Sequence, residues 1–139
     1  MEIDTLTDLV IGEAIRVHRS LGPGLLESSY RQIMAEVLVR RGCEVQTELA
    51  LDLAFEGIII PRAYRVDLLI DGVLVVEVKQ TERIAPVHRQ QLLTYLRLLD
   101  LPRGLLLNFG LGTMKDGIAR VSNPRVQDMK DLRVDRARV

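Results

Sequence analysis

The chain has 139 residues, of which 47% are hydrophobic and 27% are charged, and its 19 basic and 19 acidic residues cancel to zero net charge. This length suits a single domain with a real core, and the balanced charge argues against a protein that coats long nucleic acid. No apolar run approaches the roughly 20 residues of a membrane span, and the start Met1-Glu2-Ile3-Asp4 lacks the basic residues of a signal peptide. We therefore expect a cytoplasmic protein.

Two amphipathic helices are predicted at the start of the chain. The first covers about residues 4–20, with Asp4 or Thr5 as its N-cap. Gly22-Pro23-Gly24 interrupts the pattern, and a second helix then continues to about Arg41. Their apolar positions are Leu6, Leu9, Val10, Ala14, Ile15, Val17 and Leu21 in the first helix, and Leu26, Tyr30, Ile33, Met34, Val37 and Leu38 in the second.

Cys43 follows these helices and is the only cysteine in the chain, which excludes a disulfide within the chain and a thiolate metal cluster. A catalytic thiol would need a nearby histidine, and the chain has only His18 and His88. We therefore interpret Cys43 as a small apolar core residue.

The rest of the chain alternates between strand and helix patterns. In order, the predicted elements are strands at 45–49, 51–55 and 58–60, a hairpin at 64–79, a third helix at 86–100, and strands at 105–109 and 118–121. Because strand 105–109 follows a helical crossover, we expect it to pair parallel to a central strand. We take residues 1–123 as one domain and residues 124–139 as a charged C-terminal tail.

The hairpin at 64–79 carries charged residues within two apolar strands. Asp67 lies on the first strand, Glu77 and Lys79 lie on the second, and Asp71-Gly72 forms the turn. Burying isolated acids is costly, so these groups require partners. Glu77 and Lys79 are two residues apart and therefore point to the same face.

Whether Asp67 joins that face depends on the length of the loop. A two-residue loop, Asp71-Gly72, sets Asp67 opposite Val76, on the face away from Glu77. A three-residue loop that begins at Ile70, with a bulge, sets Asp67 opposite Val75 and on the face of Glu77 and Lys79. In that register the opposite face is uniformly apolar, with Val66, Leu68, Ile70, Leu74, Val76 and Val78. Both registers bury apolar residues, so the pattern leaves the choice open. A site shared by the two acids requires the longer loop or an equivalent bulge.

Two carboxylates and a lysine on one sheet face suit a hard cation such as Mg²⁺ or Mn²⁺, which prefers oxygen ligands. Such a metal ion would activate water and neutralise charge at a phosphorus centre, while Lys79 would orient that water. An ion-pair cluster with a purely structural role is the alternative, and the hairpin alone does not separate the two.

Several motifs resemble a known nuclease superfamily. Asp67 followed by Glu77-Val78-Lys79 resembles the catalytic core of the PD-(D/E)xK nucleases. The segment Gly24-Leu-Leu-Glu27-Ser-Ser-Tyr30 resembles the motif that names the GxxExxY family within them. The resemblance covers about residues 21–123 and includes segments of the third helix and of the strand after it.

The resemblance implies a restriction-endonuclease-like α/β fold, with a central mixed β-sheet flanked by helices. It implies a metal ion held by Asp67, Glu77 and the backbone carbonyl of Val78. Glu27 would reach this metal ion directly or through water. Lys79 would position the attacking water. From the residues alone, the alternative interpretation of Glu27 is an acid at the helix N-terminus that forms an ion pair with Arg31.

Gln91 and Tyr95 share one face of the third helix with His88, at i, i+3 and i+7. The Gln91-x-x-x-Tyr95 pair resembles the superfamily's helix motif, in which these residues contact the lysine, a metal-bound water or the nucleic-acid backbone. A polar stripe beside the leucine face is the alternative. The predicted substrate-binding residues are Arg83, His88 and Arg89, with Arg31 and Arg65 as the next candidates.

We therefore predict a Mg²⁺- or Mn²⁺-dependent nuclease that hydrolyses phosphodiester bonds of DNA in preference to RNA, as a homodimer or as a subunit of a larger complex. The alternative is a catalytically inactive module of the same fold that binds nucleic acid or protein.

Overall fold

The computed structural model describes residues 1–126, so most of the predicted tail at 124–139 lies outside the described residues. The elements are α1 (Ile3–Leu21), α2 (Glu27–Arg40), β1 (Val45–Phe55), β2 (Ile58–Ile70), β3 (Leu74–Lys79), α3 (Pro86–Leu99), β4 (Arg103–Asn108) and β5 (Ile118–Ser122), with a short 3-10 turn at Lys115–Gly117. Within the described part of the chain, no helix is both long and apolar enough to cross a bilayer.

The strands of the described residues form one sheet in the order β1-β2-β3-β4-β5. Strands β3 and β4 pair in parallel, whereas the other neighbours are antiparallel. The parallel pair is joined by α3, as expected for a strand that follows a helical crossover. The predicted mixed sheet flanked by helices is therefore confirmed.

Both faces of the sheet are covered by apolar side chains from the helices. On one face, α1 and α2 pack against strand residues such as Leu68, Val76 and Leu107, and Cys43 is buried in this cluster. On the other face, α3 packs against the alternate residues, including Val75 and Leu106. The central strands β3 and β4 are buried on both sides, because their successive residues point to opposite faces and helices cover both.

The helix starts differ from the predicted ones. Helix α1 begins at Ile3 with Glu2 as its N-cap. Asp4 therefore lies in the first turn, where its negative charge interacts favourably with the helix dipole. Leu26 is the N-cap of α2 and is largely exposed, so it does not belong to the apolar stripe of that helix.

The predicted strands at 45–49 and 51–55 form one strand, β1, and those at 58–60 and 64–70 form β2. The register shifts between Leu51 and Leu53, where β2 holds extra residues. This irregularity accommodates Pro61, which cannot donate a ladder hydrogen bond. The tip of the β1–β2 hairpin exposes Phe55, Ile58, Ile59 and Ile60.

Candidate active site

The β2–β3 hairpin follows neither predicted register. Leu68 pairs with Val76 and Ile70 pairs with Leu74, so Asp71, Gly72 and Val73 form the loop between them. Asp71 and Gly72 both have positive φ, as a type I′ turn requires, and Val73 is the extra residue. Continuing this register by one residue sets Asp67 opposite Glu77.

The carboxyl groups of Asp67 and Glu77 each accept a backbone hydrogen bond from the neighbouring strand. The backbone N–H of Asp67 donates to Glu77 Oε1 at 2.9 Å, and the backbone N–H of Val78 donates to Asp67 Oδ2 at 2.8 Å. The exposed fractions of Asp67 and Glu77 are 9% and 3%. The two acids are therefore adjacent, buried and fixed by backbone donors.

The strand alternation of β2 also changes at this point. Leu68 packs with α1 and α2, whereas Val66 packs with the cluster on the α3 face, although the two residues are two apart. The expectation that Val66, Leu68 and Ile70 share one face is therefore wrong. Asp67 lies where the alternation of β2 changes, and its carboxyl group accepts a hydrogen bond from the backbone N–H of Val78 on β3.

The pKa of Glu77 is raised to about 8, first because its carboxyl group is buried and next because the Asp67 carboxylate lies beside it. The positive charge of Lys79 lowers the pKa of Glu77, but by less than burial and Asp67 raise it. Burial also raises the pKa of Tyr95, as do the nearby charges of Glu77 and Asp67. The electrostatics of this region therefore favour an added positive charge.

All six residues predicted to be catalytic line one open pocket between α2, the β2–β3 hairpin and α3. The lining consists of Glu27, Arg31, Ala63, Tyr64, Arg65, Asp67, Glu77, Lys79, Gln91 and Tyr95. Asp67, Glu77 and Lys79 share the pocket with Gln91 and Tyr95 because α3 packs across the sheet face that carries Val75. Asp67, Glu77 and Lys79, whose common face the sequence left dependent on the loop, therefore line one pocket.

Glu27 reaches the pocket from the first residue of α2. Its Oε2 atom accepts a hydrogen bond from the backbone N–H of Gln80 at 3.2 Å, directly after β3. The predicted alternative, a pair between Glu27 and Arg31, is not among the ion pairs of the described residues, since Arg31 contacts Glu48 and Asp67 instead. Glu27 therefore bridges the α2 start to the β3 end.

Tyr30 explains why the segment before Glu27 has a fixed path. The Tyr30 ring is fully buried and stacks on Phe109 with ring centroids 4.5 Å apart. Its hydroxyl group donates to the carbonyl oxygen of Gly22 and accepts from the N–H of Leu25. This tyrosine thereby holds the loop that delivers Glu27 to the pocket.

Asn108, at the end of β4, has a structural function that the sequence reasoning did not assign. Its side chain accepts hydrogen bonds from the N–H groups of Thr81 and Gly110 and donates to the carbonyl oxygen of Thr81. It therefore ties the segment after Lys79 to the loop after β4. A polar residue at the end of a buried apolar strand is the sequence signal that could have identified it.

The predicted substrate-binding residues lie outside the pocket lining. Arg83 and Arg89 are exposed, and the Nδ1 atom of His88 accepts a hydrogen bond from the N–H of Ala85 at the start of α3. Arg31 and Arg65, the second-choice candidates, line the pocket instead. A role for Arg83, His88 and Arg89 in substrate binding stays a prediction.

The oxygen donors of the pocket match the needs of a hard cation in part. No group of three His, Cys, Asp or Glu side chains suitable for a metal ion occurs among residues 1–126. Mg²⁺, however, commonly uses one or two carboxylates and completes its shell with water and substrate phosphate. The adjacent Asp67 and Glu77, one with a raised pKa, fit that pattern. The carbonyl of Val78 and the carboxylate of Glu27 are the further oxygen donors expected there.

Most of the chain matches one protein-family model. The model of the PD-(D/E)XK nuclease superfamily matches residues 4–121, a range that includes every residue of the pocket lining. Comparisons with curated proteins and with solved structures gave no match. Nucleases of this superfamily generally use divalent metal ions. The narrower GxxExxY assignment stays a prediction.

Proposed function

The chain belongs to the PD-(D/E)XK nuclease superfamily, and we propose on that basis that it is a Mg²⁺- or Mn²⁺-dependent nuclease that cleaves DNA in preference to RNA. The proposal is supported most by the convergence of Glu27, Asp67, Glu77 and Lys79 in one pocket with Gln91 and Tyr95. These side chains come from four different elements, so their convergence depends on the whole fold.

In the proposed reaction, water attacks the phosphorus atom, the bond to the leaving oxygen breaks, and that oxygen takes up a proton. Asp67, Glu77 and the carbonyl of Val78 would hold the metal ion. When bound, that ion supplies charge neutralisation at the phosphate and an acidified water. Glu27 would contribute a further oxygen, directly or through water.

The remaining pocket residues act on water and substrate. Lys79 projects from the same strand face as Glu77 and would orient the attacking water and stabilise charge on the phosphoryl oxygens. Gln91 and Tyr95 present an amide and a hydroxyl group from α3. They would position Lys79 or the nucleic-acid backbone, because both can donate hydrogen bonds to an anion.

A module of the same fold without turnover is the second candidate. It is favoured by the zero net charge and by the hydrogen bonds through which the backbone already satisfies Asp67 and Glu77. In this candidate, the pocket would stabilise the fold or bind nucleic acid without cleaving it.

A cleavage assay separates the two candidates. The full-length protein is incubated with supercoiled plasmid, linear duplex DNA and single-stranded RNA, each with Mg²⁺, with Mn²⁺ or with EDTA. We expect cleavage of DNA that requires metal and disappears in Lys79→Ala. Arg120→Gln, an exposed position on β5 outside the pocket, is the matched control that removes a positive charge elsewhere. Cleavage that survives in Lys79→Ala would point to a contaminating nuclease, and no cleavage of any substrate would support the inactive module.

A further inference from the structure

Two arginines of the pocket share one carboxylate that the sequence analysis did not single out. Glu48 Oε1 lies 3.0 Å from Arg31 Nη2 and 3.8 Å from Arg65 Nη1. Arg31 also lies 4.0 Å from Asp67 Oδ1 through its other terminal nitrogen. A chain of charges therefore runs from the proposed metal ligand Asp67 to the outer rim of the pocket.

The backbone at Glu48 is unusual for a strand. Glu48 has a φ of 51°, in the left-handed region that non-glycine residues rarely adopt. Its neighbours pair as Thr47 with Leu68 and Leu49 with Val66, so Glu48 lies opposite Asp67 across the two strands. Strain of this kind persists only where the surroundings impose it, and here it accompanies the placement of a carboxylate between two guanidinium groups.

The charges of the pocket indicate what these guanidinium groups can bind. The lining contains the acids Glu27, Asp67 and Glu77 and the bases Arg31, Arg65 and Lys79, so its formal charges balance. A divalent cation at Asp67 and Glu77 would compete with Arg31 for Asp67 and would leave the pocket positive. An anion beside the arginines then restores the balance, and the planar guanidinium fork matches the oxygens of a phosphate.

We propose that Arg31 and Arg65, which both contact Glu48 Oε1, form a phosphate-binding subsite that takes the non-bridging oxygens of a nucleic-acid phosphodiester. The inference rests on the proposed nuclease function and names the part of the pocket that receives the substrate backbone. Arg31 is the inner contact, with a side chain 15% exposed, and Arg65 is the outer contact, 64% exposed. Glu48 is a positioning residue.

The test uses full-length protein in the Lys79→Ala background, which keeps the DNA intact in Mg²⁺ under the proposed mechanism. Binding of a fluorescein-labelled DNA duplex is followed by anisotropy over a range of salt concentrations. We expect Arg31→Gln and Arg65→Gln each to weaken binding about tenfold at low salt. Each should also reduce the slope of log K against log salt by about 1. Arg120→Gln on β5 is the control and should change neither quantity.

A second readout separates phosphate binding from a structural ion pair. In calorimetric titration with Mn²⁺ alone, Arg31→Gln should bind the metal about threefold more tightly, because a positive charge beside Asp67 is removed. A structural role predicts the opposite, since a loosened site would bind both metal and DNA more weakly. Melting temperatures establish that each variant is folded.

The outcomes distinguish this inference from the function on which it rests. If Arg31→Gln and Arg65→Gln bind DNA as Arg120→Gln does, the subsite is overturned while metal-dependent cleavage by the unsubstituted protein still supports the nuclease. If Arg31→Gln weakens both Mn²⁺ and DNA binding, the subsite is overturned in favour of a structural pair. If the Lys79→Ala protein binds no DNA and the unsubstituted protein cleaves none, both proposals fail.

Discussion

The backbone N–H of Asp67 donates a hydrogen bond to the carboxyl group of Glu77, and the carboxylate of Asp67 accepts one from the residue after Glu77. The two acids are therefore fixed by the backbones of two neighbouring strands rather than by flexible side chains. Rigid placement of this kind lowers the cost of organising a site. A substitution at one acid is expected to disturb the other.

Metal binding should depend on Asp67 and not on Lys79. We expect Asp67→Asn to weaken Mn²⁺ binding by at least about tenfold, because a ligand charge is lost. Lys79→Ala should retain binding, since the lysine is proposed to act on water. Calorimetric titration of Mn²⁺ and Mg²⁺ measures this. Equal affinity in the two variants and the unsubstituted protein would contradict the assignment of Asp67.

The metal-free protein should lose stability as the pH rises from about 4.5 towards about 8. The ordinary pKa of glutamate is 4.5, and burial together with Asp67 raises that of Glu77 to about 8 in the folded protein. Between these values the folded state holds more protons than the unfolded state, so the free energy of unfolding falls with increasing pH. The loss should be on the order of 2 kcal/mol or more.

Thermal unfolding in EDTA across this pH range is the measurement, with Glu77→Gln as the comparison. The neutral amide removes this titration, so the melting temperature of Glu77→Gln should vary less and exceed that of the unsubstituted protein at pH 8. Parallel pH profiles for the two proteins would exclude Glu77 as the titrating group. Mn²⁺ should restore stability at pH 8 by ligand linkage.

Tyr95→Phe should slow cleavage by about tenfold while metal affinity stays unchanged, because only the hydroxyl group is lost. The ring remains buried and keeps its edge contact with Tyr64, at a centroid distance of 5.9 Å. Tyr64→Phe is the matched control, since Tyr64 lines the same pocket but has no assigned role. Steady-state rates under saturating Mg²⁺ test this. Equal rates for both variants would remove Tyr95 from the mechanism.

Gly110→Ala should destabilise the fold by about 2 kcal/mol, in the range of overpacking. A Cβ atom at Gly110 would lie 2.4 Å from the carbonyl oxygen of Thr81 and 2.7 Å from its nitrogen. Gly112→Ala, two residues later, meets nothing within 4 Å and serves as the control. Chemical denaturation of both variants measures the difference. Similar unfolding free energies would show that the loop can move away from Thr81.

The sequence predicted the elements and their order because apolar spacing reports which face of each element is buried. It also indicated that Asp67 and Glu77, which line the pocket, need partners, since charged residues within apolar strands are costly to bury. It did not predict the hairpin register, because Val73 is as apolar as its neighbours and fits inside a strand or a loop equally well. Hydrophobic pattern cannot separate registers that bury similar residues.

For a related reason, the sequence did not show which arginines line the pocket. Arg83 and Arg89 are close in sequence to Lys79, whereas Arg31 and Arg65 reach the pocket only through the packing of α2 and β2. Glu48 gave no signal at all, because a glutamate in a strand usually indicates a solvated position. Its left-handed backbone and its contact with Arg65 occur within the β1–β2 pair, and its contact with Arg31 depends on the packing of α2.

The apolar tip of the β1–β2 hairpin affects how the protein behaves in concentrated solution. Phe55, Ile58 and Ile59 are each more than 60% exposed, on a hairpin whose first strand is the edge of the sheet. The chain carries no net charge near its pI of about 6.7, so at that pH little electrostatic repulsion keeps molecules apart. We expect solubility to be lowest there and to decrease with salting-out agents such as sulfate. Purification well above pH 7, or a lysine at Ile59, should extend the concentration range in which the protein stays dispersed.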